Sequence, residues 1–238
     1  MTSTFTVYLL LKTLHILLVG LWIGTDIATM AGFRGLCDET LDIKTRLRMS
    51  KLSDAMDMGP RSSLVLLLML GLFMTNLGEW GLEGKRGEWL AWGAAAVGVI
   101  WFLGVWQQYF IGHKPENERS AGEKRFHKWF RHIDLWWRIS LSGILVVAAV
   151  WSIAGDGPFN ARWLAAKQIL FAGIVMCGVG LRLMLPKILA CVMPIVQEGS
   201  TPGREAALQA WAWPAQALVF LIWVIIAVMS WLATAKPF

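Results

Sequence analysis

The chain has 238 residues, of which 56% are hydrophobic and only 16% are charged, and its formal net charge is +6. A soluble domain of this length could not bury so much apolar surface, so the composition excludes a soluble protein and predicts that lipid is the solvent. The excess positive charge borders the apolar runs and is mixed with acids, which favours anionic lipid headgroups over nucleic acid as its partner.

Several apolar runs are long enough to cross a membrane, since a spanning helix needs roughly 20 apolar residues. They are residues 6–33, 61–79, 89–112, 136–155, 163–186 and 213–235. No basic segment precedes the first run, so it counts as a helix of the protein and not as a cleavable signal peptide. The sequence therefore predicts an all-α, polytopic membrane helical bundle of about six transmembrane helices, with residues 1–238 forming a single transmembrane domain.

Basic residues are concentrated in two of the connections between these runs. The first holds Arg34, Lys44, Arg46, Arg48, Lys51 and Arg61, and the second holds Lys114, Arg119, Lys124, Arg125, Lys128, Arg131 and Arg138. The positive-inside rule then places both connections in the cytoplasm and both termini on the non-cytoplasmic side. Residues 41–58, 121–135 and 187–196 mix apolar and basic side chains, which predicts short helices lying on the inner membrane surface.

A gapless alignment of residues 51–64, KLSDAMDMGPRSSL, with residues 128–141, KWFRHIDLWWRISL, indicates an internal repeat. Both copies start on the same side of the membrane, so the predicted repeat is a parallel one. In each copy an aspartate precedes an arginine by four residues, a spacing typical of an ion pair at a helix start. The alternative is an anion or carboxylate ligand bound between Arg61 and Arg138.

Few ionisable residues fall inside the predicted spans, and each is costly in lipid unless it is paired or functional. They are Lys12, His15, Asp26, Lys167 and Arg182. Gly20 and Gly24 predict close helix approach beside Asp26, for which a structural ion pair is the favoured role. Lys167 either extends to the membrane surface or contributes to a polar site.

His15 is the only histidine within a predicted span, at a depth of about 14 Å counted from the start of the run. A neutral imidazole at this depth could bind haem iron or copper, or relay a proton. Lys12 lies three residues earlier and is predicted to share its inward face. His113, His127 and His132 lie near the basic surface and cannot complete a bis-histidine pair, so a second ligand would be another residue type or a histidine from another subunit. Met176 and Cys177 reach a similar depth and either is a candidate, and Met69 and Met74 also approach the middle of the membrane.

The stretch Lys12-Thr13-Leu14-His15-Ile16, followed by Gly20, Trp22 and Gly24, and the later stretch Trp163-Leu164-Ala165-Ala166-Lys167 resemble segments of the CopD and HemJ membrane families. HemJ-type proteins are haem-binding protoporphyrinogen oxidases, and CopD-type proteins are associated with copper uptake. The resemblance implies that His15 is a haem or copper ligand, that Lys167 is the family's lysine, and that the membrane is a bacterial inner membrane. The chain departs from the HemJ pattern at Gly178, where those proteins commonly have a histidine, and it is longer than their four-helix form.

These observations lead to three hypotheses. The first is a haem b protein for electron transfer or oxidation of an apolar substrate, with a redox partner, in which His15 is the iron ligand. The second is a membrane transporter of copper or a small solute, with His15 and methionines as soft ligands. The third is a non-catalytic subunit or assembly partner of a larger membrane complex. A homo-oligomer or larger complex is expected in each case.

Overall fold

A computed structural model of the chain describes residues 2–81 and 84–237, and in this part every regular element is a helix. The helices are α1 (Thr2–Leu36), α2 (Ile43–Met56), α3 (Met58–Leu77), α4 (Gly84–His113), α5 (Ala121–Ala154), α6 (Arg162–Glu198) and α7 (Pro202–Ala235). Counting α2 and α3 together, six helices of the described chain are long and apolar enough to cross a membrane. The prediction of an all-α bundle is confirmed.

Consecutive helices pack side by side, and α7 returns to α1, so the bundle closes on itself. We call the end that holds α2 and the α4–α5 and α6–α7 connections the basic end, and the opposite end, which holds both chain ends, the terminal end. Large apolar side chains cover the outward faces: Leu17 is 63% exposed, Ile144 61% and Val224 60%. Soluble proteins rarely expose such contiguous apolar surface, whereas lipid solvates it. The chain is an integral membrane protein.

The helices extend beyond the predicted spans at the basic end. Residues 121–135 were expected to form a separate surface helix, but they are the first turns of α5. Residues 187–196 likewise belong to α6, which continues through Pro186 and Pro194. Prolines are tolerated in such helices because neighbouring helices and local adjustments satisfy the freed backbone groups. Residues 41–58 do contain a distinct helix, α2, which breaks from α3 at Asp57.

Asp42 starts α2 by accepting hydrogen bonds from the backbone N–H groups of Lys44 and Thr45, at 3.0 and 3.1 Å. These satisfy donors that the first helical turn leaves free. The Thr45 hydroxyl and these N–H groups hold the pKa of Asp42 below its usual value. The capped helix then turns back along the basic end of α1.

Helix boundaries agree with the internal repeat. In the alignment that pairs Lys51 with Lys128, the residues of α2 and α3 together match the residues of α5. The ends of the two ranges agree to within one residue. The connection that follows each copy contributes one partner to an isolated β-bridge between Gly81 and Phe159. Gly81 has a φ of +107°, and a Cβ there would collide with the Pro158 carbonyl oxygen. The two copies are thus tied together at the terminal end.

Close packing of α1 depends on glycines other than the expected ones. Nothing lies within 4 Å of where a Cβ would be at Gly20 or Gly24, so the prediction of close approach there is wrong. A Cβ at Gly32 would instead lie 2.8 Å from the Met49 carbonyl oxygen of α2. The approach occurs near the basic end because α2 folds back along that half of α1, while the other half of α1 faces mostly lipid.

Candidate functional site

Two polar side chains face each other in the terminal half of the bundle, which we call the His15 site. His15 comes from α1 and Lys167 from α6, and the Lys167 charge lies within electrostatic range of the imidazole. The ring is half-buried, and its Nδ1 atom is inaccessible and has no hydrogen-bond partner. No hydrogen bond or ion pair joins Lys167 to another described residue. Such unpaired polar groups are costly inside a membrane, which makes this pair the candidate functional site.

Gly71 of α3 forms a third side of the His15 site. A Cβ at Gly71 would lie 4.0 Å from Cε1 of His15, in van der Waals contact with the ring. Any longer side chain there would therefore press on the imidazole. The glycine thus allows α3 to pack close to the imidazole.

Aromatic rings cover the His15 site toward the terminal end. Tyr8 packs edge-on against Trp80 with ring centroids 5.9 Å apart, and Trp80 packs against Trp163 at 5.1 Å. The Lys236 ammonium lies 4.6 Å from the Trp80 centroid, which adds a cation–π contact from the residue that follows α7. Since Trp163 lies one helical turn before Lys167, these rings lie on the terminal side of the His15 site.

The opposite side of the His15 site is closed by the main apolar core, in which Trp22 is 4% exposed and Phe171 7%. Below it, the Trp223 indole Nε1 of α7 donates a hydrogen bond of 2.7 Å to Asp26 of α1. The expected ion pair of Asp26 with an arginine is therefore absent among the described residues. A buried carboxylate with an indole donor fixes α7 against α1 at this level.

Two of the predicted site residues lie outside the His15 site. Lys12 is exposed, so it does not share the buried face of His15 as predicted; α1 packs on few neighbours here, and only a narrow stripe of it is covered. Met176 is 44% exposed and points toward lipid. It follows Lys167 by nine residues, which places the two on opposite faces of α6, so the structure does not bring Met176 to the His15 site.

Arg61 and Arg138 belong to a separate network at the basic end. Asp134 accepts hydrogen bonds from Nε of Arg138 at 3.1 Å, from Nε1 of Trp101 at 2.6 Å, and from Nη1 of Arg182. Its side chain is 3% exposed, and the Arg138 guanidinium lies over the Trp101 ring at 5.2 Å. Buried charges are stable when they are paired and hydrogen-bonded in this way.

Arg61 forms the predicted i,i+4 ion pair with Asp57, as Arg138 does with Asp134, and it lies within electrostatic range of Asp134. Arg138 therefore binds a carboxylate of the chain itself, that of Asp134, at the position where the alternative prediction placed a ligand. Arg182 follows Lys167 by about 22 Å along α6, so this network does not reach the His15 site. The predicted residues therefore lie in three places: His15 and Lys167 at the His15 site, Arg61 and Arg138 in the ion-pair network, and Lys12 and Met176 outside both.

Sequence reasoning missed Gly71 and the aromatic cover of the His15 site. Trp80 and Trp163 lie near the ends of apolar runs, where tryptophan commonly anchors a helix at the membrane surface, and Gly71 is a single glycine within an apolar run. Among the described residues, no three His, Cys, Asp or Glu side chains converge as a metal site would require.

No family model matches the chain, and neither a curated protein nor a solved structure matches it.

Proposed function

We propose that the chain binds haem b in the terminal half of the bundle, with His15 as an axial ligand of the iron. The observation that carries this proposal is the half-buried imidazole with an inaccessible, unpartnered Nδ1, placed beside Lys167 and opposite Gly71. Haem b combines an iron that binds imidazole with propionate carboxylates that pair with cations. The two unpaired side chains of the site complement these two parts.

The surroundings of His15 suit a flat apolar group. The rings of Tyr8, Trp80 and Trp163 and the core below would tune the iron through a site of low polarity. Hydrogen bonds between α1 and α7 lie toward the basic end, at Asp26–Trp223, Arg34–Gln216 and from Gln209 to the Cys37 carbonyl. The terminal half of this helix pair is held less tightly, so haem or an apolar substrate could enter between α1 and α7 from the bilayer.

In this function the bound haem supplies one-electron transfer or oxidation of an apolar substrate. His15 holds the group, and Lys167 orients it through a propionate. We further propose that the membrane is a bacterial inner membrane and that the basic end faces the cytoplasm, as the positive-inside rule requires. An electron partner would then have to reach the site from the terminal side or through the lipid.

The copper hypothesis has less support from the structure. A soft site would need methionine sulfur near His15. Met69 of α3 packs against Gly98 of α4, and Met176 points toward lipid. Transport of copper or a small solute is therefore the second hypothesis, and the test below distinguishes it from haem binding.

The test is the reduced-minus-oxidised visible spectrum of protein purified from haem-replete cells, measured for the wild type, His15→Ala and Lys167→Met. The matched control is His132→Ala, because His132 is exposed on α5 at the basic end. We expect a haem b signal that is lost in His15→Ala, is weaker in Lys167→Met and is unchanged in His132→Ala.

A wild-type protein without a Soret band would overturn the proposal, as would a haem signal that survives in His15→Ala. In the first case, copper analysis of the same samples decides between the remaining hypotheses. Copper that depends on His15 would support transport, and blank metal analysis would support a non-catalytic subunit of a larger complex.

A further inference from the structure

A groove between α5 and α6 at the basic end has a volume of about 540 Å³. Four cationic side chains line it: Arg125, Lys128, Arg131 and Arg182. No acidic side chain is among its lining residues. The groove therefore concentrates positive charge on one short stretch of surface.

Most of this charge is not neutralised by the protein. Arg125, Lys128 and Arg131 are exposed, and none of them forms an ion pair with another described residue. Arg182 differs, because its guanidinium is held by Asp134 and donates a hydrogen bond of 2.8 Å to the Arg131 carbonyl oxygen. One arginine is thus fixed at the edge of the groove, while three exposed cations without an acidic partner among the described residues are available to bind an anion.

The rest of the groove is apolar. Leu135, Leu183 and Pro186 line it, and Leu183 is 57% exposed. Leu135 follows Arg125 by about 15 Å along α5, which is the distance from the headgroup layer into the hydrocarbon. Trp129, which is 60% exposed, lies between them at the level that tryptophan prefers in membranes.

We propose that this groove is a binding site for one anionic phospholipid. The phosphate binds to Lys128, Arg131 and Arg125, and the acyl chains lie over Leu135 and Leu183. A basic pocket between spanning helices at the membrane surface is suited to such headgroups. A soluble phosphate compound would make no use of the apolar half, which is why the lipid is favoured.

The test compares binding of phosphatidylglycerol with binding of phosphatidylcholine to delipidated protein in a neutral detergent, followed by native mass spectrometry and by the shift in unfolding temperature. The groove variant is Lys128→Ala with Arg131→Ala. The control is Arg48→Ala with Lys51→Ala, which removes the same charge from exposed positions of α2. Arg182 is left intact because it pairs with the buried Asp134.

We expect the wild type to retain phosphatidylglycerol in preference to phosphatidylcholine. Each removed cation weakens binding about five-fold, so the groove variant should bind phosphatidylglycerol about thirty-fold more weakly. The control variant should stay within about two-fold of the wild type by the same reasoning, since its charges lie outside the groove. Arg125→Ala gives a second, single-charge variant with an expected weakening of about five-fold should the double variant not fold.

Equal weakening in the groove and control variants would overturn the proposal, because it would show diffuse attraction to the whole basic end. Glycerol phosphate provides the second comparison. If it displaces phosphatidylglycerol as efficiently as the intact lipid does, the groove binds a soluble phosphate compound and the lipid assignment is wrong. If glycerol phosphate fails to compete while the groove variant loses the lipid, both halves of the groove contribute as proposed.

Discussion

The buried ion pair between Arg46 of α2 and Glu205 of α7 gives the sharpest stability prediction. Their side chains are 3% and 5% exposed, and the guanidinium donates two hydrogen bonds to the carboxylate at 2.7 and 3.0 Å. Arg46 also donates to the Leu36 carbonyl oxygen at 2.7 Å. Glu205→Gln keeps the shape of the side chain but leaves the arginine charge buried and uncompensated. The expected cost is about 3–5 kcal/mol of the free energy of unfolding.

The free energy of unfolding would be measured by SDS titration in mixed micelles, with tryptophan fluorescence reporting the folded fraction. Glu198→Gln is the matched control, because Glu198 pairs with Arg204 but is 63% exposed. Its expected cost is about 0–1 kcal/mol, as is usual for surface pairs. In a double-mutant cycle with Arg46→Met and Glu205→Met, the double variant should cost less than the sum of the single variants. Equal costs for Glu205→Gln and Glu198→Gln would refute the reasoning.

Two further predictions use the same titration. Gly32→Ala must displace α2 backbone and should cost about 1–3 kcal/mol, whereas Gly20→Ala, with open space around it, should stabilise by up to about 1 kcal/mol. Similar effects of both substitutions would contradict the packing described for α1. Trp101→Phe removes a hydrogen bond to the buried Asp134 carboxylate and should lose about 1.5–3 kcal/mol from that bond. Trp106→Phe removes only a bond to the neutral Ser62 hydroxyl, worth about 0.5–1.5 kcal/mol, and the reverse ranking would count against the role given to Asp134.

The fold could be predicted from the sequence because the physical signal is strong at every spanning helix. A run of roughly 20 apolar residues leaves the backbone no alternative to a helix in lipid. The helix ends were predicted less well, because nothing in hydropathy marks how far a helix continues into the headgroup layer. The amphipathic start of α5 and the proline-containing end of α6 look like separate elements by pattern, yet their backbones continue without a break.

The candidate site could be predicted only in part. His15 and Lys167 stand out because ionisable groups are rare in spanning helices. Lys12 was predicted from its helical spacing to His15, and Met176 was predicted from its depth in the membrane. Neither spacing nor depth shows which face of a helix is covered by neighbouring helices. Gly71 has no chemical group to draw attention to it, and its role follows only from its distance to the His15 ring.

The difference between the two ends of the bundle is the strongest argument for a ligand near His15. At the basic end the chain pairs its buried charges: Asp134 binds two arginines and an indole, and Arg46 binds Glu205. In the terminal half, no described residue forms an ion pair or a hydrogen bond with the side chain of Lys167 or with Nδ1 of His15. Buried atoms without a hydrogen-bond partner also occur at His127, Ser63 and Trp137, so the contrast between the two ends concerns the charged groups. Because an unpaired charge costs more in lipid than at a membrane surface, the absence of an acidic partner for Lys167 among the described residues supports the proposed ligand.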